Sequence, residues 1–364
     1  MKKFTGFEKG MGIGGWLTNY KRFNVLPQEH RLKLTIGDFE HFSTYITEDD
    51  VRYIASLGMD HIRLGFDQIV VEEEPYKYRD SIFGLIERFV KYCSKYNLNV
   101  VLNLHKAIGN YCDIYEELQL LDSDELQKRF TALWVEFEKR FEGYPGIAFE
   151  LLNEVRDVDA DKWNTLAQKT VSELRKINAQ RKIIIGSTCW NSVNTLKNIK
   201  VLDDENVIYT FHFYDPFCFT HQMGVLQPGP LYYNRKIPYP GDVEMYRDYE
   251  RVVCGNNSSY EGYSVIDKQF IYDTLAPALE FIRDNPDKIL WCGEFGTIRH
   301  CNIKYRENWM RDVISFLKEH DIPYCVWNYL SMPNDGNRFS LVDDDTRKIL
   351  SENMARIIRG VTEA

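Results

Sequence analysis

Two carboxylates sit at the ends of apolar runs far apart in the chain. Glu154 closes Phe149-Glu-Leu-Leu-Asn-Glu154, and Glu294 closes Leu290-Trp-Cys-Gly-Glu294 with glycines on both sides. An acid at the end of a buried run, flanked by glycines, is an odd place for a solvated charge. Two carboxyl groups facing each other across a cleft are the minimum for breaking a glycosidic bond. One protonates the leaving oxygen, and the other attacks the sugar or activates water. Asn153, immediately before Glu154, adds an amide donor suited to a sugar hydroxyl. Other polar and aromatic groups end apolar runs in the same way: Arg63, His105, His212, Tyr214 and Trp327. The competing reading is structural, with the acids only pairing Arg63 and the histidines in a buried network.

The elements that must position these groups alternate along the chain. Strands are expected at Met11–Gly14, His61–Phe66, Val100–His105, Ile147–Asn153, Ile183–Ser187, Val207–Phe213, Ile289–Glu294 and Tyr324–Trp327. Amphipathic segments lie between them, with helix starts at Thr47-Glu-Asp-Asp50, Ser123-Asp-Glu125 and Asp159-Ala-Asp161. Strands alternating with helices imply parallel strands joined by crossovers, and eight such units in one α/β chain match a (β/α)8 TIM barrel. An open doubly wound sheet is the rival. It would carry a glycine-rich phosphate turn, and Gly12-x-Gly14-Gly15 lacks the required third spacing. In a closed barrel the strand ends meet at one mouth, so residues distant in sequence become neighbours. Two connections are long, Asn19–Ile46 after the first strand and Asp215–Ile266 after the sixth. The second is loop-like and reads as an insertion or small subdomain. With no linker or repeat, the chain 1–364 reads as one catalytic domain with decorations.

Composition narrows the partners. The 364 residues carry a net charge of −9 and no lysine- or arginine-rich run, so a phosphate backbone finds no basic face to bind. Aromatic residues reach 14%, a surplus that suits flat sugar-binding surfaces. No apolar run approaches a membrane span, and no signal-peptide h-region follows Met1-Lys-Lys3, so a cytoplasmic protein is expected. The eight cysteines form no C-x-x-C pair and are expected as free, mostly buried thiols.

Several segments resemble the motifs of glycoside hydrolase family 5, in order along nearly the whole chain. They are His61-Ile-Arg-Leu-Gly65, Leu102-Asn-Leu-His105, Ala148-Phe-Glu-Leu-Leu-Asn-Glu154, Phe211-His-Phe-Tyr214 and Trp291-Cys-Gly-Glu-Phe-Gly296. Gly14-Gly-Trp16 and the run from Phe211-His-Phe-Tyr-Asp-Pro-Phe217 to Phe219-Thr-His-Gln222 are most similar to clostridial cellulases of the endoglucanase C type. The resemblance implies a retaining hydrolase, without cofactor, acting on β-1,4-linked gluco- or manno-configured oligosaccharides. It assigns Glu154 as acid/base and Glu294 as nucleophile. Arg63 and Tyr214 would flank Glu294, and His105 and Asn153 would bind hydroxyls. His212 would lie by the acid/base, and Trp327, with a cis bond to Asn328, would floor the subsite. Glu154, protonated first and ionised later, would occupy the drier setting. His105 and His212 lie on different strands without a third ligand spacing, so no metal is expected. His221, His300 and His320 read as ordinary surface or core residues.

Two departures accompany the resemblance. Strand two reads Arg63-Leu-Gly65 where the family commonly has proline. An insertion at 24–39, near Phe23, His30, Phe39 and His41, would close one end of an open groove. That keeps an exo-acting β-mannosidase or β-glucosidase on imported oligosaccharides as an alternative. A non-catalytic carbohydrate-binding barrel is a remote one, since both carboxylates are present.

Overall fold

The molecule is described from a computed structural model covering residues 2–19, 34–112, 118–255, 259–332 and 335–362. Eight parallel strands close into a barrel. They are β1 (Lys9–Leu17), β2 (His61–Asp67), β3 (Asn99–Lys106), β4 (Ile147–Glu150), β5 (Lys182–Gly186), β6 (Val207–Phe213), β7 (Ile289–Phe295) and β8 (Tyr324–Val326). Each pairs with its neighbours in sequence, and β8 returns to β1 with Lys9 opposite Tyr324. The (β/α)8 expectation therefore holds. β4 is shorter than expected and ends at Glu150. Beyond it the chain stays hooked to its neighbours through Leu151 N–H to Ile184 O and Asn153 N–H to Leu104 O.

The helix starts follow the capping chemistry. Ser123 and Asp159 accept backbone N–H groups at the starts of Asp124–Phe141 and Ala160–Arg175. The Asp50 carboxylate takes both the N–H and the hydroxyl of Thr47 at the start of Glu48–Ser56. Between β5 and β6 the crossover is short and tight, a turn at Thr188–Asn191 followed by a 3-10 helix at Val193–Asn198.

Inside the barrel, side chains form layers. Val101, Ala148, Ile184, Ile208, Trp291 and Cys325 fill the N-terminal half, and Phe4 and Phe7, stacked at 4.4 Å, plug that end. Polar groups occupy the next layer up. Large aromatic residues such as Trp134, Phe137 and Phe149 join the outer helices to the strands.

The long connections have more structure than expected. Asp215–Ile266, read as loop-like, holds helices Phe217–Thr220, Pro228–Tyr233 and Val243–Val253 and a two-stranded pairing of Gly241–Asp242 with Val265–Ile266. Its apolar residues cluster at helical spacing within short stretches that proline and glycine separate, which hid the pattern. Of the insertion at 24–39, residues 24–33 lie outside the described residues, as do Phe23 and His30. From Ile36 the chain is helical to Thr44 rather than a loop, with Phe42 buried and His41 donating to the Gly15 carbonyl at 2.7 Å. The eight cysteines are free thiols, five of them buried. No helix among the described residues is long and apolar enough to cross a membrane.

One buried ion pair fastens the frame far from the mouth. Arg181 binds Glu138 through Nε at 2.7 Å and also donates to the Phe141, Tyr144 and Ile147 carbonyls, tying helix Asp124–Phe141 to the start of β4. Replacing Arg181 by Met leaves Glu138 buried without its cation. It should cost about 3–5 kcal/mol of stability, measured by urea unfolding at neutral pH.

Candidate active site

The polar layer is organised by one guanidinium. Arg63, on β2 and fully buried, donates to both oxygens of Glu150 at 2.7 and 2.9 Å. It also donates to Glu294 Oε2 at 2.7 Å and to Asn153 Oδ1 at 2.6 Å. Burial works against its charge, but Glu150 and Glu294 outweigh that and push its pKa up. Because Arg63 takes the amide oxygen of Asn153, the NH2 group of that side chain is left for other partners.

Glu294 reaches the mouth through a local irregularity. Alternation along β7 would send Trp291 inward and Glu294 outward. The register against β6 slips at this point: Cys292 pairs with Phe211, but Glu294 pairs with His212. Gly293 is the extra residue, and the bulge turns Glu294 inward. A Cβ at Gly293 would lie 2.5 Å from Thr210 Oγ1, so only glycine fits. The second oxygen of Glu294 accepts from the Tyr214 hydroxyl at 2.6 Å. Burial lifts the Glu294 carboxyl above its ordinary range, while His212, Arg63 and Tyr214 pull it back.

Glu154 lies opposite, bonded to His212 Nδ1 at 2.9 Å. A carboxylate oxygen from Glu154, a ring nitrogen of His212 and a carboxylate oxygen from Glu294 all lie within 4.8 Å of one another. Such a trio could in principle hold a cation. Here the Arg63 guanidinium already sits at 2.7 Å from Glu294, whose other oxygen is taken by Tyr214. Burial lowers the His212 pKa to about 4. The ring is neutral at ordinary pH, and its Nδ1–H points at Glu154.

The floor is aromatic. Trp327 follows β8 with a cis bond to Asn328, as expected, and its indole lies nearly parallel to His105, ring centres 5.4 Å apart. Gly12 and Gly14 on β1 make room for it: a Cβ there would meet the indole at 2.7 and 3.0 Å. The glycines read as an incomplete phosphate turn are in fact space for a tryptophan. His105 Nδ1 faces Asn103 Oδ1 at 3.0 Å, and Nε2 faces Asn19 Nδ2 at 3.2 Å. Trp327, His105, Asn19, His212 and the two glutamates Glu154 and Glu294 line a cleft of about 350 Å³ at the C-terminal face of the barrel.

Comparison with known proteins decides the family. Residues 23–332 match the family described as Cellulase (glycosyl hydrolase family 5). Endoglucanase C of Acetivibrio thermocellus is 35% identical over 360 residues, covering 97% of this chain and 98% of the relative. The chain belongs to glycoside hydrolase family 5. Cellodextrinase A of Ruminococcus flavefaciens is 28% identical over 327 residues, covering 88% and 85% of the two chains. In fold, the crystal structure of endoglucanase Cel5A from Thermotoga maritima superposes with a TM-score of 0.73 at 22% identity, covering 97% of each chain.

Seven of the eight expected site residues of this family 5 chain line the one cleft, and the eighth, Arg63, is buried beneath it against Glu294 and Asn153. One expectation about them is reversed. Glu294 is the drier acid, with 7% of its side chain exposed against 17% for Glu154, because the bulge draws Glu294 down into the polar layer. Three residues were not anticipated. Glu150, fully buried, anchors Arg63; its inward parity with Ala148 on β4 was the available signal. His221, read as ordinary, borders the cleft beside Tyr214. Trp190 also lines it, in a turn where Cys189, Trp190 and Asn191 all have φ between 55° and 58°. Backbone bonds to Val155 and Arg156 and the indole N–H to Cys112 O hold that turn, and no sequence pattern announces it.

The three cleft histidines give a pH signature. Burial holds His105 well below its ordinary value, His212 at about 4 and His221 at about 3. In the unfolded chain each titrates near 6.5, so between pH 6.5 and 4 the unfolded state binds protons that the folded state refuses. Stability must therefore fall as pH falls through that window, by up to about 1.4 kcal/mol per pH unit for each histidine. Denaturation at pH 6.5, 5.5 and 4.5 should show this slope, and His221→Phe should flatten it by up to one proton. An unchanged slope in the variant would contradict the assignment.

Proposed function

We propose that the chain hydrolyses β-1,4-linked gluco- or manno-configured chains with retention of anomeric configuration, gluco-configured ones being its main substrates. The observation that carries the mechanism is the close approach of the two carboxyl groups, one oxygen of Glu154 lying within 4.8 Å of one oxygen of Glu294. Retaining enzymes hold them about 5–5.5 Å apart, because no water has to fit behind the sugar. The endoglucanase and cellodextrinase names of the similar proteins support the gluco-configured substrate.

In this mechanism Glu294 attacks the anomeric carbon while Glu154 protonates the leaving oxygen. Glu154 then takes a proton from the water that releases the sugar. Arg63 and Tyr214 each hold one oxygen of Glu294, so the carboxylate is aimed before substrate arrives. When Glu294 becomes an ester and loses its charge, Arg63 keeps a full counter-charge in Glu150. His212, neutral and donating through Nδ1, steadies the ionised form of Glu154 between the two steps. A second reading, exo-acting cleavage of short chains, draws on Asn19. This residue leads directly into the long connection after β1, and its amide reaches His105 on the cleft floor.

Proton NMR of the first product formed should show the β-anomer, which then mutarotates; an initial α-anomer would overturn retention. Glu294→Ala should abolish turnover of every substrate. Glu154→Ala should keep part of its rate on aryl glycosides with good leaving groups, which need little protonation. Equal losses on activated and natural substrates in both variants would refute the assignment of roles. Random internal cleavage of a pentasaccharide would exclude the exo-acting reading.

A further inference from the structure

His221 is the one cleft histidine that the hydrolytic mechanism leaves without work. It comes from the Phe219-Thr-His-Gln222 run, and the residue is 6% exposed. The ring is clamped on three sides. Phe217 stacks on it at 4.1 Å with 17° between planes, and Tyr214 and Phe339 meet it edge-on at 5.0 Å each. Nδ1 lies 3.0 Å from the Thr220 hydroxyl. That hydroxyl spends its single proton on the Tyr214 carbonyl at 2.5 Å, so it can only accept from the imidazole. The proton of the neutral ring is therefore on Nδ1, and Nε2 carries a bare lone pair. Among the described residues Nε2 has no protein partner, yet the ring borders the cleft. An acceptor fixed in orientation, without a protein donor and open to a binding cleft, is placed to take a hydrogen bond from a ligand.

The position of the ring limits which donor that is. Around the closed barrel β3 and β4 stand opposite β7 and β8. His105 and Asn153 come from the first pair, and Glu294 and Phe339 from β7 and the chain after β8. A glucose ring lying on Trp327 with its 2- and 3-hydroxyls toward Asn153 and His105 turns its other edge across the mouth. That edge carries the ring oxygen and the C6 hydroxymethyl group. His221 stands on that side, one ring away from the tyrosine that holds Glu294.

We propose that His221 Nε2 accepts the 6-hydroxyl of the sugar attacked by Glu294. It would thereby select hexoses over pentoses such as xylose, which lack C6. The proposal rests on the glycosidase reading above and deepens it. His221 is on this account a specificity residue, with no part in proton transfer.

The test pairs a substrate change with a protein change. An aryl β-cellobioside is compared with its analogue in which the glucose joined to the aryl group is 6-deoxyglucose. The wild-type chain should lose roughly fivefold to tenfold in kcat/KM on the 6-deoxy compound, the worth of one neutral hydrogen bond. His221→Phe keeps the stacked ring but lacks the acceptor. It should lose that factor on the parent and discriminate the two compounds by less than about twofold. Thr220→Val, which removes the group fixing the tautomer, should also lower discrimination, and it serves where the phenylalanine variant does not fold. A wild-type chain indifferent to the 6-hydroxyl, or either folded variant retaining full discrimination, overturns the proposal. A wild-type chain that fails on the parent compound overturns the glycosidase reading instead, so the two failures are distinct.

Discussion

A single buried cation is the constraint on which the mouth of this barrel depends. Arg63 has no exposed surface, and a guanidinium cannot shed its charge, so the fold must supply acceptors for it. Glu150 satisfies it from below with two parallel bonds, a fork geometry that fixes its plane. Once the plane is fixed, the remaining N–H groups aim at Glu294 and Asn153. The positions of Glu294 and of the Asn153 amide are thus consequences of one ion pair formed beneath them. Glu150 matters here without touching the cleft.

The same economy governs the backbone. Strand alternation alone gives each barrel strand one inward residue in two, and the polar layer needs more control than that. Gly293 adds a residue to β7 and brings Glu294 to the inner face opposite His212. On the other wall, Gly12 and Gly14 remove side chains where the Trp327 indole must lie, and Gly296 lets the Trp327 carbonyl pass within 2.1 Å of where a Cβ would be. Each of these glycines is a place where the absent side chain shapes the cleft, and each sits beside a residue that faces it.

Much of this was legible from sequence because it follows from period and position. Eight apolar β-branched runs alternating with capped helices specify the barrel. Residues at the C-terminal ends of those runs must then converge, which is why His105, Asn153, Glu154, His212, Tyr214, Glu294 and Trp327 could be named together; Arg63, grouped with them, lies earlier on β2 and supports them from beneath. What stayed hidden depends on three-dimensional neighbours. Glu150 looks like one acid within a strand until Arg63 is placed above it. The left-handed turn at Cys189–Asn191 has no glycine to announce it. The helices within Asp215–Ile266 are short and divided by proline, so their periodicity never accumulates. The insertion's helix from Ile36 is likewise brief, and its burial comes from a few residues such as Phe42.

Environment also separates the two acids more clearly than residue type does. Glu294 is locked at both oxygens by a cation and a phenol, buried, and unable to reorient. Such a group suits a reaction in which its position, more than its proton, is what counts. Glu154 is more exposed and is bonded by an imidazole whose pKa burial lowers to about 4. That setting suits a group that gives up a proton and takes one back. The two carboxyl groups are chemically alike and a few ångströms apart. What separates them is what each is tied to: Arg63 and Tyr214 on one side of the cleft, His212 on the other.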